Sequence, residues 1–341
     1  MPSEKVINEL LSFACPSIQY RVRRELLDEP IDSPMMKAIQ QEILKDELVQ
    51  AILDSQAADG WIGSRFHGYD SHEAGIRLLC EKGLDHRHPA VGRALEALDR
   101  KKTRIEGELG LVGKVLDDYG LGGTETIRTT IFAYAGVENI PFVQDQHNLA
   151  LEAFRAVLDV ASIDEIVEPY QDKLVFRKGV IWPGIYHLRL LAFTHTWRTS
   201  QAQAMLVESM ARLAQLSPIP NIHVRFKSQW MAPAAFGMQN FGGKNLAHMS
   251  ASEWMTWFQR MELLARLGVV RVVLELKRQV EDLDKLLEAG SGWFTLPLTH
   301  EYFRHWGAYT GLMLERDWKH SKRRMYDLTF RSLLIQHYSG L

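Results

Sequence analysis

Cysteine is scarce in this chain, which has only Cys15 and Cys80 among its 341 residues. Two thiols cannot form a disulfide framework, and no Cys-x-x-Cys pair is present to hold a metal or carry redox chemistry. Because a lone cysteine usually behaves as a small hydrophobic residue, we expect both thiols to be buried. The sequence predicts no metal site and leaves any cofactor unknown.

Long apolar runs and an excess of positive charge are also missing. No stretch approaches the roughly 20 apolar residues that span a bilayer, and the N-terminus lacks a signal-peptide pattern. We therefore expect a cytoplasmic protein with no membrane span. The 40 Lys and Arg residues are balanced by 42 Asp and Glu residues. Since nucleic-acid binding needs a basic surface, we expect no nucleic-acid partner. The enzyme interpretation given below predicts a small-molecule substrate, and the oligomeric state is left open.

Helical periodicity dominates what is present. Hydrophobic residues make up 46% of the chain, which is typical of a globular protein, and strand signals are scarce. One group of segments is amphipathic and predicts outer helices, whereas a second group is apolar on more than one face and predicts inner helices. The outer segments are 89–101, 146–161, 201–216 and 269–288. The inner segments are 71–82, 124–135, 185–197 and 253–267. Their alternation predicts an all-α fold of layered helices.

Glycines at the ends of predicted helices suggest internal repetition. Three inner segments end at a glycine followed by an aliphatic residue, namely Gly83-Leu84, Gly136-Val137 and Gly268-Val269. Glycine just past a helix end takes the left-handed conformation, and the next apolar residue packs back on the helix. The intervals fit five to six helical hairpins in a single domain over 1–341. The segment 217–250 reads as a long irregular insertion, either a lid or a contact loop.

The segment Gln56-Ala57-Ala58-Asp59-Gly60-Trp61-Ile62-Gly63 resembles the Q-x-x-D-G-x-W repeat of the squalene cyclase and protein prenyltransferase β-subunit superfamily. The match lacks one spacer before Trp61. The resemblance implies an α/α toroid, a barrel of paired inner and outer helices around a central cavity. It does not carry over the chemistry of that superfamily, because the aspartate-rich cyclase and synthase motifs are incomplete around Asp117-Asp118. The zinc ligands of the prenyltransferases are not matched either.

The richest group of polar residues precedes the first inner segment. It contains His67, Asp70, His72 and Glu73, with Ser71 or Asp70 as the helix N-cap. Imidazole and carboxylate groups together can transfer protons, so His72 and Glu73 are predicted catalytic residues, and His67 and Asp70 substrate-binding residues. The alternative is that Asp70 caps the helix, Glu73 complements the helix dipole and the histidines pack in the core.

Further candidates lie on the later inner segments. Glu125 and Arg128 are three residues apart on one helical face, where Glu125 is a predicted catalytic group and Arg128 a clamp for an anionic substrate. A simple ion pair is the alternative. His187 is the fourth predicted catalytic residue. The aromatic residues predicted to bind substrate are Trp61, Trp182, Tyr186, Trp257, Tyr302 and Trp306, with core filling as their alternative role.

Three functions fit these patterns. The favoured one is an enzyme resembling terpene cyclases and prenyltransferases, with acid–base chemistry on a small, largely apolar or isoprenoid-like substrate in an aromatic cavity. A carbohydrate-active α/α-barrel lyase or hydrolase is the second, with two carboxylates or a His/Tyr pair acting on the bond. A non-catalytic helical-repeat binding protein is the third.

Overall fold

The computed structural model describes residues 4–233, 237–243 and 245–340. Within these residues the chain forms fifteen α-helices and four short strands. The first eight helices are α1 (Glu4–Phe13), α2 (Pro16–Arg21), α3 (Pro34–Ile43), α4 (Glu47–Asp54), α5 (His72–Lys82), α6 (Pro89–Arg100), α7 (Lys102–Asp118) and α8 (Thr124–Tyr134). The others are α9 (Pro141–Ala156), α10 (Ile185–Ala192), α11 (Ser200–Leu216), α12 (Ala251–Arg266), α13 (Leu274–Ala289), α14 (Glu301–Arg304) and α15 (Ser321–Ser339). No helix in the described part of the chain is long and apolar enough to cross a membrane.

The predicted difference in burial between the two groups of helices is confirmed, whereas their inner and outer positions in a ring stay a prediction. All eight residues of α10 are buried, as are nine of the eleven residues in each of α5 and α8. By contrast, α6 buries only the stripe formed by its alanines, Val91, Leu95 and Leu98. A helix that is apolar on several faces must pack on several sides, whereas an amphipathic helix covers a core from one side.

The three predicted glycine caps are confirmed. Gly83, Gly136 and Gly268 have φ angles of 115°, 78° and 73°, in the left-handed region. The amide after the first of them, that of Leu84, donates to the carbonyl of Leu79, which satisfies a carbonyl at the end of α5. Leu84 itself is buried, so the chain packs back on the helix as expected.

Backbone contacts divide the chain into two compact units. Unit 1 comprises Met1–Arg100, Leu246–Ala265 and Val280–Leu341, and unit 2 comprises Lys101–Asn245 and Arg266–Gln279. A division of contacts does not show that either unit folds alone, so the single domain over 1–341 stays a prediction. The closed ring of a toroid also stays a prediction.

A small sheet in unit 2 was not expected, so the all-α prediction holds only as a mostly helical fold. The strands are β1 (Val167–Tyr170), β2 (Lys173–Phe176), β3 (Ile222–Phe226) and β4 (Gln229–Pro233), in the order β1-β2-β3-β4. The outer pairs β1–β2 and β3–β4 are antiparallel hairpins, and β2 pairs with β3 in parallel at two positions. Strands of four or five residues carry too few alternating positions to register as a pattern in the sequence.

The segment 217–250 is therefore more regular than expected, because β3 and β4 lie within it. A further helical turn of the 3-10 type covers Leu246–His248. Residues 234–236 and 244 of this segment lie outside the described residues. The role of the segment as a lid or a contact loop stays a prediction.

Candidate functional site

The loop formed by residues 56–63 in unit 1 is bonded to α6 and packs closely against it. The Gln56 side-chain amide donates to the carbonyls of Gly60, at 3.0 Å, and Ala90, at 2.8 Å. Gly60 has a φ of 91°, and a Cβ there would come 2.3 Å from the Arg93 carbonyl oxygen. Only glycine fits so close an approach of two backbones. The motif thus joins its loop to the first turns of α6.

His72 is buried between this loop and α6. Its ring stacks on Trp61, with centroids 4.2 Å apart and planes 7° apart. Nδ1 accepts a hydrogen bond from the Ile62 amide at 2.9 Å, and Nε2 donates to the Ala94 carbonyl at 3.0 Å. These partners fix a neutral tautomer, because an N–H on Nδ1 would face the Ile62 N–H. The geometry favours a structural role for His72 and Trp61, and their predicted functional roles stay untested.

His67 and Glu73 form a second pair, of different character. The Nδ1 atom of His67 lies 2.6 Å from Oε2 of Glu73. Glu73 is in the first turn of α5 with 1% of its side chain exposed, whereas 23% of the His67 side chain is exposed. Since a carboxylate can only accept, Nδ1 donates to it and Nε2 carries the lone pair of the neutral ring. A buried carboxylate that orients an imidazole is the arrangement of many acid–base sites.

Tyr309 completes this group, and the sequence patterns did not indicate it. Its ring meets that of His67 edge-on, with centroids 5.6 Å apart and planes 78° apart. Arg77, which is buried, holds the loop that carries Tyr309. The Arg77 guanidinium donates to the carbonyls of Gly307, Ala308, Thr310 and Gly311, at 2.7–3.3 Å. Four bonds to one planar group fix the backbone on both sides of Tyr309.

The loop that carries His67 is tied to itself and to α5. Ser64 donates its amide to the Asp70 carbonyl at 3.2 Å, and the amide of Glu73 donates to the carbonyl of Phe66 at 3.1 Å. Ser71, the N-cap of α5, accepts from the Ala74 amide and donates to the Gly68 carbonyl, which confirms one of the two caps proposed from the sequence. Asp70 itself is exposed and has a φ of 49°. We call His67, Glu73 and Tyr309 the triad.

Three other predicted residues of unit 1 lie in aromatic groups. Trp306 packs beneath the guanidinium of Arg77, which lies 5.1 Å from its ring centre. Tyr302 keeps 38% of its surface exposed and meets the ring of His300 edge-on. Trp257 is 3% exposed and packs against Trp254. Of these three aromatic side chains, only Tyr302 offers a substantial exposed face.

In unit 2 the structure brings Glu125 and Arg128 together. Their side chains approach to 3.3 Å, with Glu125 45% exposed and Arg128 1% exposed. The Arg128 guanidinium also lies 4.3 Å from the ring centre of Phe142. This geometry fits the local ion pair that was the alternative to an anion clamp, and the clamp stays untested.

Asp117, which belongs to the incomplete aspartate-rich motifs, caps the N-terminus of α8 although it lies in the preceding helix, α7. Its carboxylate accepts from the amides of Gly123, at 2.9 Å, and Glu125, at 3.4 Å. Burial raises the pKa of Asp117 to about 6, although those amides act in the opposite direction. The signal that could have found this cap is an aspartate six residues before a glycine N-cap.

The remaining predicted residues of unit 2 are buried around α10. His187 accepts from the Gly184 amide through Nδ1, and burial lowers its pKa to about 4, so the ring is neutral near neutral pH. The ring of Tyr186 lies 5.1 Å from the Arg189 guanidinium. Trp182 is fully buried, and its Nε1 has no hydrogen-bond partner among the described residues.

The fold and the triad define a mostly helical protein with a buried carboxylate, a partly exposed imidazole and a phenol in one group. Over the described ranges, no set of three or more His, Cys, Asp or Glu side chains is arranged to hold a metal ion. No family model, no curated protein and no solved structure matches the chain.

Proposed function

We propose that the chain is an acid–base enzyme in which His67 and Tyr309 exchange protons with the substrate. The observation that carries the proposal is the 2.6 Å contact between the half-buried His67 and the buried carboxylate of Glu73. That contact orients the ring and stabilises its protonated form, which are the two properties a general base needs. Tyr309, fixed by Arg77, supplies a second group that can give or take a proton.

A pair of this kind suits an elimination reaction. His67 Nε2 removes a proton from the carbon next to a carboxylate, and the electron pair of that C–H bond forms a double bond to the adjacent carbon. The C–O bond between the adjacent carbon and the leaving group breaks, and its electron pair goes to that oxygen. The Tyr309 hydroxyl then protonates the oxygen. Elimination needs one base and one acid but no nucleophile, whereas hydrolysis of a glycosidic bond uses two carboxylates. The triad contains only one carboxylate, so its composition favours a lyase.

The surroundings favour a carbohydrate as the substrate. Tyr69 is 52% exposed, and its ring lies against Gly307 in the loop that carries Tyr309. Exposed aromatic faces stack on sugar rings, and the hydroxyl of a tyrosine can bond to sugar hydroxyls. Arg65, in the same loop as His67, passes beside Gly68 and supplies a guanidinium for the substrate carboxylate. We therefore propose a uronate-containing oligosaccharide, in place of the isoprenoid-like substrate that the resemblance implies.

The test is a screen of the purified chain against acidic polysaccharides such as polygalacturonate, alginate and hyaluronan. Elimination creates a carbon–carbon double bond, which is followed by ultraviolet absorbance and mass spectrometry. His67→Ala and Tyr309→Phe should each lower turnover about a hundred-fold or more, as expected for loss of a general base or acid. His320→Ala is the matched control, because the His320 side chain is 78% exposed and remote in sequence.

Two results would overturn the proposal. One is turnover of an acidic polysaccharide that both triad variants retain at the level of the unchanged chain. The other is the absence of any unsaturated product together with turnover of an allylic diphosphate, which would restore the isoprenoid-like substrate.

A further inference from the structure

The helix α5 carries two charged side chains on one face. Glu73 and Arg77 are four residues apart in this helix, and residues at that spacing lie one above the other on the same side. Glu73 contacts His67, and Arg77 contacts the loop that carries Tyr309. One face of one helix therefore holds two members of the triad that lie far apart in the sequence.

The Arg77 guanidinium binds the loop on both sides of Tyr309. Its Nη1 atom donates to the carbonyls of the two residues before Tyr309, at 3.0 Å and 3.3 Å. Its Nη2 atom donates to the carbonyls of the two residues after Tyr309, at 2.8 Å and 2.7 Å. Because the guanidinium is planar and rigid, the two pairs of bonds fix the direction of the backbone at Tyr309, which a lysine ammonium could not do.

Trp306 supports the same loop from beneath. Its ring centre lies 5.1 Å from the Arg77 guanidinium, a cation–π contact in a buried place. The chain returns closely over this ring, because Gly311 has a φ of 96° and a Cβ there would come 2.7 Å from the Trp306 ring. The Thr310 hydroxyl adds a bond within the loop by donating to the carbonyl of His305 at 2.6 Å. The position of the loop relative to α5 thus depends on Arg77 and Trp306.

Resting on the proposed function, in which Tyr309 protonates the leaving group, we infer that Arg77 is a positioning residue for that step. Arg77 exchanges no proton itself, since a guanidinium stays protonated. It acts by setting the place of the Tyr309 hydroxyl relative to His67, and a displacement of about 1 Å between reacting groups can cost about a hundred-fold in rate. Glu73 thus orients the base and Arg77 orients the acid, both from one face of α5.

The kinetic experiment combines Arg77→Lys with Tyr309→Phe in the elimination assay. Arg77→Lys keeps the charge but not the planar fork, and it should lower kcat about ten- to hundred-fold while KM stays within about two-fold. In the Tyr309→Phe background the same substitution should change kcat by less than about two-fold, because the hydroxyl that Arg77 positions is already absent. A residue that only stabilised the fold would lower activity by the same factor in both backgrounds.

A second measurement needs no substrate and therefore separates this inference from the proposed function. An aromatic ring shifts the NMR frequencies of nearby nuclei, so the His67 ring signal reports the position of the Tyr309 ring that it meets edge-on. Tyr309→Ala gives the signal with that ring absent, and Arg77→Lys should move the signal towards it. Arg212→Lys is the matched control, because Arg212 donates to two loop carbonyls in unit 2 at 2.7–3.0 Å. It should leave the His67 signal unchanged.

A further variant keeps the test decisive if Arg77→Lys does not fold. Trp306→Phe places a smaller ring beneath the guanidinium, and it should move the His67 signal in the same direction and lower kcat only when Tyr309 is present. An unchanged His67 signal in the folded variants would overturn the inference, as would effects of Arg77→Lys and Tyr309→Phe on kcat that multiply. Full turnover by Tyr309→Phe would instead overturn the proposed function, and the catalytic role of Arg77 with it, whatever the His67 signal shows.

Discussion

Two histidines five positions apart differ in the partners of their ring nitrogens. His72 gives both nitrogens to backbone groups and stacks on Trp61. His67 gives Nδ1 to a buried carboxylate. A proton gained by His72 would break its bond from the Ile62 amide, whereas a proton gained by His67 is stabilised by Glu73. In the proposed reaction we therefore assign proton transfer to His67.

The buried carboxyl group of Glu315 makes the stability of unit 1 depend on pH. Burial and the nearby Asp327 carboxylate together raise the pKa of Glu315 to about 7, although the Cys15 amide and Arg323 act in the opposite direction. The folded state thus binds the proton more tightly than the unfolded chain. The stabilising effect of that proton is fully present below about pH 4.3, the ordinary glutamate pKa, and is lost as pH rises to about 7.

We predict that Glu315→Gln removes this part of the pH dependence. Relative to the unchanged chain, the variant should gain roughly 1–3 kcal/mol of unfolding free energy between pH 4.5 and pH 7, at about 1.4 kcal/mol per unit of pKa shift. Urea unfolding across that range measures it. Glu42→Gln, at a side chain 56% exposed, is the control and should leave the profile unchanged. A constant difference between Glu315→Gln and the unchanged chain at every pH would contradict the assignment.

At the level of elements, the loop before α5 connects helix capping to the triad. Ser71 accepts from the Ala74 amide at 3.1 Å and donates to the Gly68 carbonyl at 2.9 Å, so one hydroxyl caps the helix and fixes the loop. Ser33 caps α3 through the Met36 amide and is remote in sequence from the triad. The two serines form a matched pair.

We predict that Ser71→Ala and Ser33→Ala each lower the free energy of unfolding by about 1 kcal/mol, the usual cost of a lost N-cap. Only Ser71→Ala should also lower the turnover of the acidic polysaccharide, because His67 then loses a tie that positions its loop. Urea unfolding and the ultraviolet assay measure the two effects. Equal turnover in the two variants would show that the loop needs no such tie.

The elements that the sequence predicted are those with a long repeating pattern. The eight segments assigned as inner or outer helices all contain helices, since ten or more residues of one periodicity outweigh local exceptions. The four strands were missed because each is too short. α7 was missed for another reason, since Gly110, with φ 51° and ψ −139°, breaks its helical geometry and its apolar stripe.

The candidate site was predictable only in part. His67 and Glu73 were recognisable because they adjoin a helix start in one short motif. Tyr309 lies more than two hundred residues away, and only the fold brings it to His67. Arg77 did leave a signal, because a charged residue in a helix apolar on several faces must find acceptors. The nature of those acceptors, four carbonyls of a distant loop, could not be derived from local sequence.

For the molecule as a whole, the mostly helical architecture follows from the sequence, and the arrangement of its two units does not. Helical hairpins are specified locally, through caps and periodicity, whereas the closed ring, which stays a prediction, would depend on contacts between residues far apart in the chain. The proposed function depends on the triad, which lies within unit 1, and not on that arrangement.

The most direct test of this account is the turnover of acidic polysaccharide by Glu73→Gln. The substitution keeps the shape of the side chain but removes the charge that orients and stabilises protonated His67. We predict a folded variant whose turnover falls by about a hundred-fold, within the range for loss of acid–base assistance, while Glu42→Gln keeps full turnover. Full turnover by Glu73→Gln, with the fold intact, would contradict the role of the triad.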